Sequence, residues 1–425
     1  MKDMLDRFIR YAETDTGSSE DSETFPSTPG QMELLSILAD ELREMGLSTD
    51  FDREKGYVYA FLPASPGYEE LPPLGFISHV DTSPDAPGKD VRPRLIEAYD
   101  GNDILLGSDA QGREIVLRVS EFPQIAEFKG KSIIVTDGST LLGADDKAGV
   151  AEIMEAVSLL SGHGNADNTC SGTDKIPHGK VCVAFTPDEE LGLGASGFDL
   201  ERFGAKYAYT VDGGAFPEFE YGNFNAAGIK VLFTGKNIHP GSAKGVMKNA
   251  LSMAIALDNM LPDGERPEKS EGREGFFHLT DLHGDVSRAV SEYLIRDGDS
   301  ERFQERKKLF LNACEYINRL YGPGSAHVEM KDTYYNMEPL ILEHPHLIEY
   351  AKKAFEMTGS EMVSKFIRGG TDGATLSYMG LPCPNLPTGG INFHSVYECA
   401  CLDDMVRVRD VIINLVKLYA EGKED

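Results

Sequence analysis

Histidine and carboxylate residues recur in five short motifs: His79-Val80-Asp81, Ala144-Asp145-Asp146, Asp188-Glu189-Glu190, Val211-Asp212-Gly213-Gly214 and Asn392-Phe393-His394. Their side chains offer nitrogen and oxygen donors without thiolate, a set suited to zinc, cobalt or manganese. Residues i and i+2 of a strand face the same way, so His79 and Asp81 project together, and Asp81 can accept the second imidazole N–H and fix the ligating tautomer. Glu189 and Glu190 are neighbours that point apart. One can hold a metal while the other serves as general base toward a water whose pKa the metal lowers to about 7. Adjacent carboxylates at Asp145 and Asp146 repel at the start of a helix unless something positive faces them.

Each motif also has a plain structural reading. His-x-Asp can be a hydrogen-bonded pair at a strand end, Asp188-Glu189-Glu190 a solvated loop, Val-Asp-Gly-Gly a turn, and Asp146 before Lys147 a helix N-cap. Against this, all five stand just past apolar, strand-like runs. The carboxyl ends of strands in an open α/β sheet share one edge, where ligands bind, so residues scattered along the chain can converge there.

The elements that must position them follow from periodicity. Leu34, Leu35, Leu38, Leu42 and Leu47 predict a helix over 31–47 ending near Gly46, and Val150, Met154, Val157 and Leu160 one over 147–160. Apolar runs at 75–80, 132–135, 181–185 and 207–211 read as buried strands. Strands alternating with helices predict an α/β catalytic domain, a mostly parallel central sheet between helices. The pattern breaks near Asn223 and resumes near Asn336. Between them a strand (228–234), a helix (245–261), strands at 275–283 and 287–296, a helix (300–320) and a strand (326–335) spell the ferredoxin-like βαββαβ order. The expected domains are therefore 1–223 and 336–425, interrupted by an inserted unit at 224–335, with further helices at 344–357 and 403–420. Polar segments at 162–175 and 16–29 read as surface loops.

Composition narrows the function. A chain of 425 residues predicts two or three packed units. A net charge of -29 argues against nucleic acid or an anionic membrane as partner and suits small molecules or cations. No apolar run is long enough for a bilayer, and the N-terminal stretch lacks the apolar core of a signal peptide. The six cysteines form no CxxC pair and read as reduced, mostly buried thiols of a cytoplasmic protein. Gly192, Gly194 and Gly197 spell GxGxxG, but Asp188, Glu189 and Glu190 directly before them would repel a pyrophosphate. Neither a Walker A sequence nor a GxSxG elbow is present.

Seven segments carry a family resemblance: GFISHVDTSPD (75–85), TLLGADDKAG (140–149), FTPDEELGLGA (185–195), YTVDGG (209–214), HPGSAKGVMKNAL (239–251), IRGGTDGATLSYMGLPCPNL (367–386) and GGINFHSVYE (389–398). With them the chain resembles the dinuclear-metal peptidase superfamily of aminoacylases, carboxypeptidases and desuccinylases, and within it the cytosolic aminotripeptidases. The resemblance implies two divalent ions per chain, zinc first, with cobalt or manganese as alternatives. It implies one ion at His79 and Asp212, the other at Glu190 and His394, and Asp145 bridging both through a cis Asp145–Asp146 peptide bond. Glu189 matches the general base and Asp81 the acid orienting His79. The inserted unit matches a lid or dimerisation domain, whose His239 and Arg296 would reach the substrate together with Arg368 of the large domain. An imidazole donor suits a developing oxyanion and an arginine fork a substrate carboxylate. The implied activity is release of the N-terminal residue from tripeptides by a chain able to form a homodimer. A related dipeptidase, carboxypeptidase or N-acyl amino acid deacylase, and a non-catalytic cation-binding protein, are the alternatives.

Overall fold

A computed structural model describes residues 1–163 and 176–422. The predicted loop at 162–175 and Cys170 therefore lie, apart from Gly162 and His163, outside the described residues. The chain divides into two compact units: Met1–Tyr221 with Leu340–Lys365 and Thr371–Asp425, and Gly222–Pro339 with Phe366–Gly370.

The first unit is built on an eight-stranded sheet in the order Ser48–Asp52, Tyr57–Leu62, Val181–Thr186, Leu74–His79, Tyr207–Gly213, Asn385–Pro387, Glu218–Asn223, Val363–Ile367. Its four middle strands run parallel. Leu74–His79 and Val181–Thr186 are buried along their whole length, as strands covered on both faces must be. Antiparallel pairs flank this centre. On one face, Tyr57, Tyr59, Ile77 and Ala184 pack with Phe198, Phe203 and Leu376. Helix Ala144–Ser161, buried at nearly every position, packs on Leu74–His79 and Tyr207–Gly213 and against Leu402–Glu421. Its regular turns begin at Lys147, because Asp145 and Asp146 have non-helical dihedrals.

Two expectations are corrected. The strand Ile133–Val135 does not join the main sheet. It pairs with Cys399–Cys401 and Arg94–Ile96 in a separate antiparallel sheet completed by Gly390–Ile391. A three-residue apolar run is buried in either setting, so periodicity does not say which partner it takes. The segment 16–29 is not a mere surface loop. Ser18 and Ser27 are buried, and polar side chains tolerate this where they are hydrogen-bonded. Ser18 donates from its N–H and hydroxyl to the Thr82 carbonyl, and Ser27 donates to Asp188.

The second unit holds an antiparallel sheet in the order Phe276–Gly284, Arg288–Asp297, Asn225–Thr234, Ala326–Tyr334. Helices Ala250–Asp258 and Ser300–Tyr321 pack on it through a core that includes Phe233, Met253, Leu257, Phe277, Tyr293 and Phe310. This is the ferredoxin-like arrangement. The first helix is shorter than 245–261 because the Asn249 side chain accepts the Leu251 and Ser252 N–H groups and so starts the helix there. Arg368, expected from the large domain, falls in this second unit. No helix among the described residues is long and apolar enough to cross a membrane.

Candidate metal centre

Three of the five motifs do stand at ends of parallel strands. His79 closes Leu74–His79, Asp212 is next to last in Tyr207–Gly213, and Glu189 and Glu190 follow Val181–Thr186. Asp145 and His394 do not: one enters from the turn before a helix, the other from the loop after Gly390–Ile391 of the smaller sheet. All of them converge nevertheless. His79 Nε2 lies 3.0 Å from Asp145 Oδ1 and 3.4 Å from Asp212 Oδ1. The other Asp145 oxygen, Oδ2, lies 3.4 Å from His394 Nε2, which is 3.0 Å from Glu190 Oε2. Two groups able to hold a cation, His79/Asp145/Asp212 and Asp145/Glu190/His394, thus share Asp145, with one carboxylate oxygen turned to each.

Ion pairing alone does not satisfy this arrangement. Each Nε2 carries at most one proton yet faces two carboxylates. His79 Nδ1 is already engaged, 3.2 Å from Asp81 Oδ1 and 3.1 Å from its carbonyl. Glu190 Oε1 is buried with no hydrogen-bond partner, which costs free energy unless a cation or donor completes it. The donor set and its orphaned oxygen fit two divalent ions.

The surrounding residues hold these groups through backbone donors. Asp81 is fully buried and accepts the Glu189 N–H at 3.0 Å on Oδ1 and the Glu190 N–H at 3.2 Å on Oδ2, so one carboxylate orients both His79 and the glutamate pair. Asp188 adopts φ 51, a left-handed conformation uncommon for a non-glycine residue. Its carboxylate is fastened there by the Ser27 N–H (2.6 Å), the Ser27 hydroxyl and the Gln31 amide (2.7 Å). His394 is likewise left-handed, at φ 60. The Asp145–Asp146 peptide bond is cis. Asp146 is not a helix cap: its Oδ2 accepts from the Ser78 hydroxyl and from the His79 N–H at 3.1 Å, which braces the turn against the strand. Asp146, Asp188, Glu398 and Asp85, whose Oδ2 lies 3.3 Å from His394 Nδ1, were given no metal-centre role by sequence reasoning. All four stood inside segments already singled out, Asp146 beside the candidate ligand Asp145, Asp188 beside the candidate base Glu189, Asp85 at the end of GFISHVDTSPD and Glu398 at the end of GGINFHSVYE.

Crowded carboxylates set the electrostatics. Burial raises Glu189 well above the ordinary range, and the charges of Asp212 and Asp372 add to it. Burial likewise pushes Glu190 up to about 7. Hydrogen bonds to Asp145 and Glu190 push His394 up to about 11. Burial disfavours charge on His79, but Asp212, Asp145 and Asp81 outweigh it and raise the ring well above its usual value. Asp145, although buried, is held low by the two imidazoles. Both histidines are thus drawn toward the cationic form, which shows that the centre favours positive charge.

In the second unit, exposed His239 accepts the Gly241 N–H on Nδ1 at 3.1 Å, leaving Nε2 as the N–H donor. Arg296 donates from one terminal nitrogen to the Arg368 carbonyl at 2.8 Å, while its Nε is buried without a partner. Arg368 donates to the Gly272 carbonyl at 2.9 Å and the Ser270 hydroxyl at 2.8 Å, its guanidinium over the Phe224 and Phe276 rings.

A family model for the peptidase dimerisation domain matches residues 221–323. A tripeptidase structure from Staphylococcus aureus superposes with a TM-score of 0.76 at 21% identity, covering 99% of each chain. The structure of the aminopeptidase PepT from Bacillus cereus gives 0.75 at 23% identity, over 99% of this chain and 98% of that one. At these identities the two structures speak for the fold. Peptidase T of Clostridium acetobutylicum is 48% identical over 421 residues, spanning 99% of this chain and 100% of that protein. Identity of that order along the whole length shows that the chain belongs to the peptidase T family.

Proposed function

We propose that the chain is a metallo-aminopeptidase that releases the N-terminal residue of tripeptides. The observation that carries this reading is the Asp145 carboxylate set between two imidazole-carboxylate groups, with the glutamate pair anchored by Asp81 beside it. The chain's similarity to proteins known as peptidase T, aminopeptidase and tripeptidase supports the substrate class. His79, Asp145 and Asp212 would hold one divalent ion and Asp145, Glu190 and His394 the other. Zinc is the first choice for this donor set, and cobalt or manganese suits it too. Bound there, the ions supply Lewis acidity that acidifies water and polarises a peptide carbonyl.

The chain's own residues do the rest. Glu189 takes the proton of the attacking water on its carboxylate as the new C–O bond forms, and delivers it to the departing amine nitrogen as the C–N bond breaks. Asp81 keeps His79 in one tautomer and holds Glu189 at its backbone. His239 presents an N–H suited to a developing oxyanion, and Arg296 and Arg368 present forks suited to a substrate carboxylate. The inserted residues 224–335 serve as lid and as the surface through which two copies pair, a reading supported by the dimerisation-domain match. A cytoplasmic location is supported by the five cysteines among the described residues, which are free and buried.

A panel of free and N-acetylated di-, tri- and tetrapeptides tests this. Free tripeptides should be the preferred substrates, with activity lost on chelation and restored by metal. Glu189→Gln should lower kcat by about 10²–10⁴-fold while both ions remain bound. Turnover of blocked substrates alone, or full activity in Glu189→Gln, would overturn the reading.

A further inference from the structure

Glu398 lies four residues beyond His394 and is 1% exposed. Its carboxylate accepts three backbone donors from the turn that leads into Asp145. Oε2 takes the Leu142 N–H at 2.7 Å and the Gly143 N–H at 2.8 Å, and Oε1 takes the Asp145 N–H at 3.0 Å. Successive backbone N–H groups closing on one anion make a concave, charge-assisted site, and Gly143 supplies the left-handed residue (φ 76) within it. The loop at the other end is closed on itself. The Ser395 hydroxyl donates to the Asn392 carbonyl at 2.7 Å, the Tyr397 N–H to the Ser395 hydroxyl at 3.2 Å, and the Asn392 side chain to the Tyr397 carbonyl at 3.1 Å. Glu398 therefore staples the compact turn carrying His394 to the turn carrying Asp145, two segments about 250 residues apart that flank the paired strands Cys399–Cys401 and Ile133–Val135.

We propose that Glu398 is a positioning residue that sets the spacing between Asp145 and His394, and through it the affinity of the Asp145/Glu190/His394 group for its ion. The inference rests on the two-ion reading of the centre. The His79/Asp145/Asp212 group depends on this staple for one ligand, whereas the other depends on it for two. The two groups should therefore respond unequally when it is lost.

The test titrates Zn²⁺ into metal-free wild type, Glu398→Gln and Glu398→Asp by calorimetry, with melting curves alongside. The amide of Glu398→Gln turns an N–H toward backbone donors. It should weaken one ion by about 10–100-fold, the usual effect of removing a partner that orients a metal ligand, and the other markedly less. Activity should then be low at two equivalents of metal and recover in excess metal, with KM unchanged. Glu398→Asp keeps the charge on a shorter stem and should fall between. Two ions bound as in wild type, equal weakening of both, or a lowered melting temperature with unchanged metal binding would each overturn the proposal. Wild type that binds no pair of ions would defeat the metal centre itself, a distinct result. Should neither variant fold, amide exchange in metal-free wild type decides: slow exchange at Leu142, Gly143 and Asp145 supports the staple, and free exchange refutes it.

Discussion

An imidazole must give up its proton before it can hold a metal ion, and in this centre both rings are reluctant to do so. His394 is pushed up to about 11 by its hydrogen bonds to Asp145 and Glu190. His79, despite its burial, is raised well above its usual value by Asp212, Asp145 and Asp81. The metal-free rings are therefore drawn toward the cationic form, and metal and proton compete for the same lone pairs. Lower pH favours the proton, so affinity must rise from pH 6 to pH 8. Calorimetric metal titrations in buffers of different ionisation enthalpy should show net proton release at pH 7. Binding without proton release would show that the free rings are not held in the cationic form. At this scale the donor types were legible, because His, Asp and Glu placed after apolar runs are visible in one dimension. Glu398 and Asp188 were not assigned roles, because their partners are backbone N–H groups and a serine–glutamine pair distant in the chain, which no motif names.

Elements bring these residues within reach of one another, and the helix Ala144–Ser161 illustrates how narrow the tolerance is. A Cβ at Gly149 would stand 1.9 Å from the Val211 carbonyl oxygen and 2.5 Å from Asp146 Oδ1. Glycine there lets the helix lie directly on strand Tyr207–Gly213, and so sets Asp145 at the helix start beside Asp212 on the strand. Gly149→Ala should push the two elements apart. The expected outcome is a loss of about 1–3 kcal/mol of stability, the usual cost of overpacking, together with weaker metal binding. Denaturant unfolding and a metal titration check the two effects separately. Wild-type stability and affinity would show that the helix can shift without disturbing the centre. The parallel strands were readable because burial on both faces makes them continuous apolar runs. Ile133–Val135 was readable as a strand but not as a member of the smaller antiparallel sheet, since three apolar residues carry no record of their partner. The burial of segment 16–29 was hidden for a different reason. Ser18 and Ser27 look solvated until the Thr82 carbonyl and the Asp188 carboxylate are seen to pair with them.

The whole molecule adds a field that no single residue supplies. The α/β unit and its ferredoxin-like insertion were legible from the order of strands and helices, and the excess of acids from composition alone. A net charge of -29 surrounds the centre with negative potential, which draws divalent cations toward it and opposes anionic substrates. A tripeptide with neutral side chains is a zwitterion with little net charge and should be nearly indifferent to that field. One with an acidic side chain should be disfavoured and one with a basic side chain favoured, both through association. The reach of the field is about 30 Å at 0.01 M ionic strength and about 8 Å at 0.15 M. Measured with saturating metal, the gap in kcat/KM between neutral and acidic tripeptides should therefore narrow as salt rises between these limits. The advantage of a basic tripeptide should shrink in step. Ratios that hold constant across the salt series would place the discrimination in short-range contacts with the substrate and leave the surface charge without a part in selecting it.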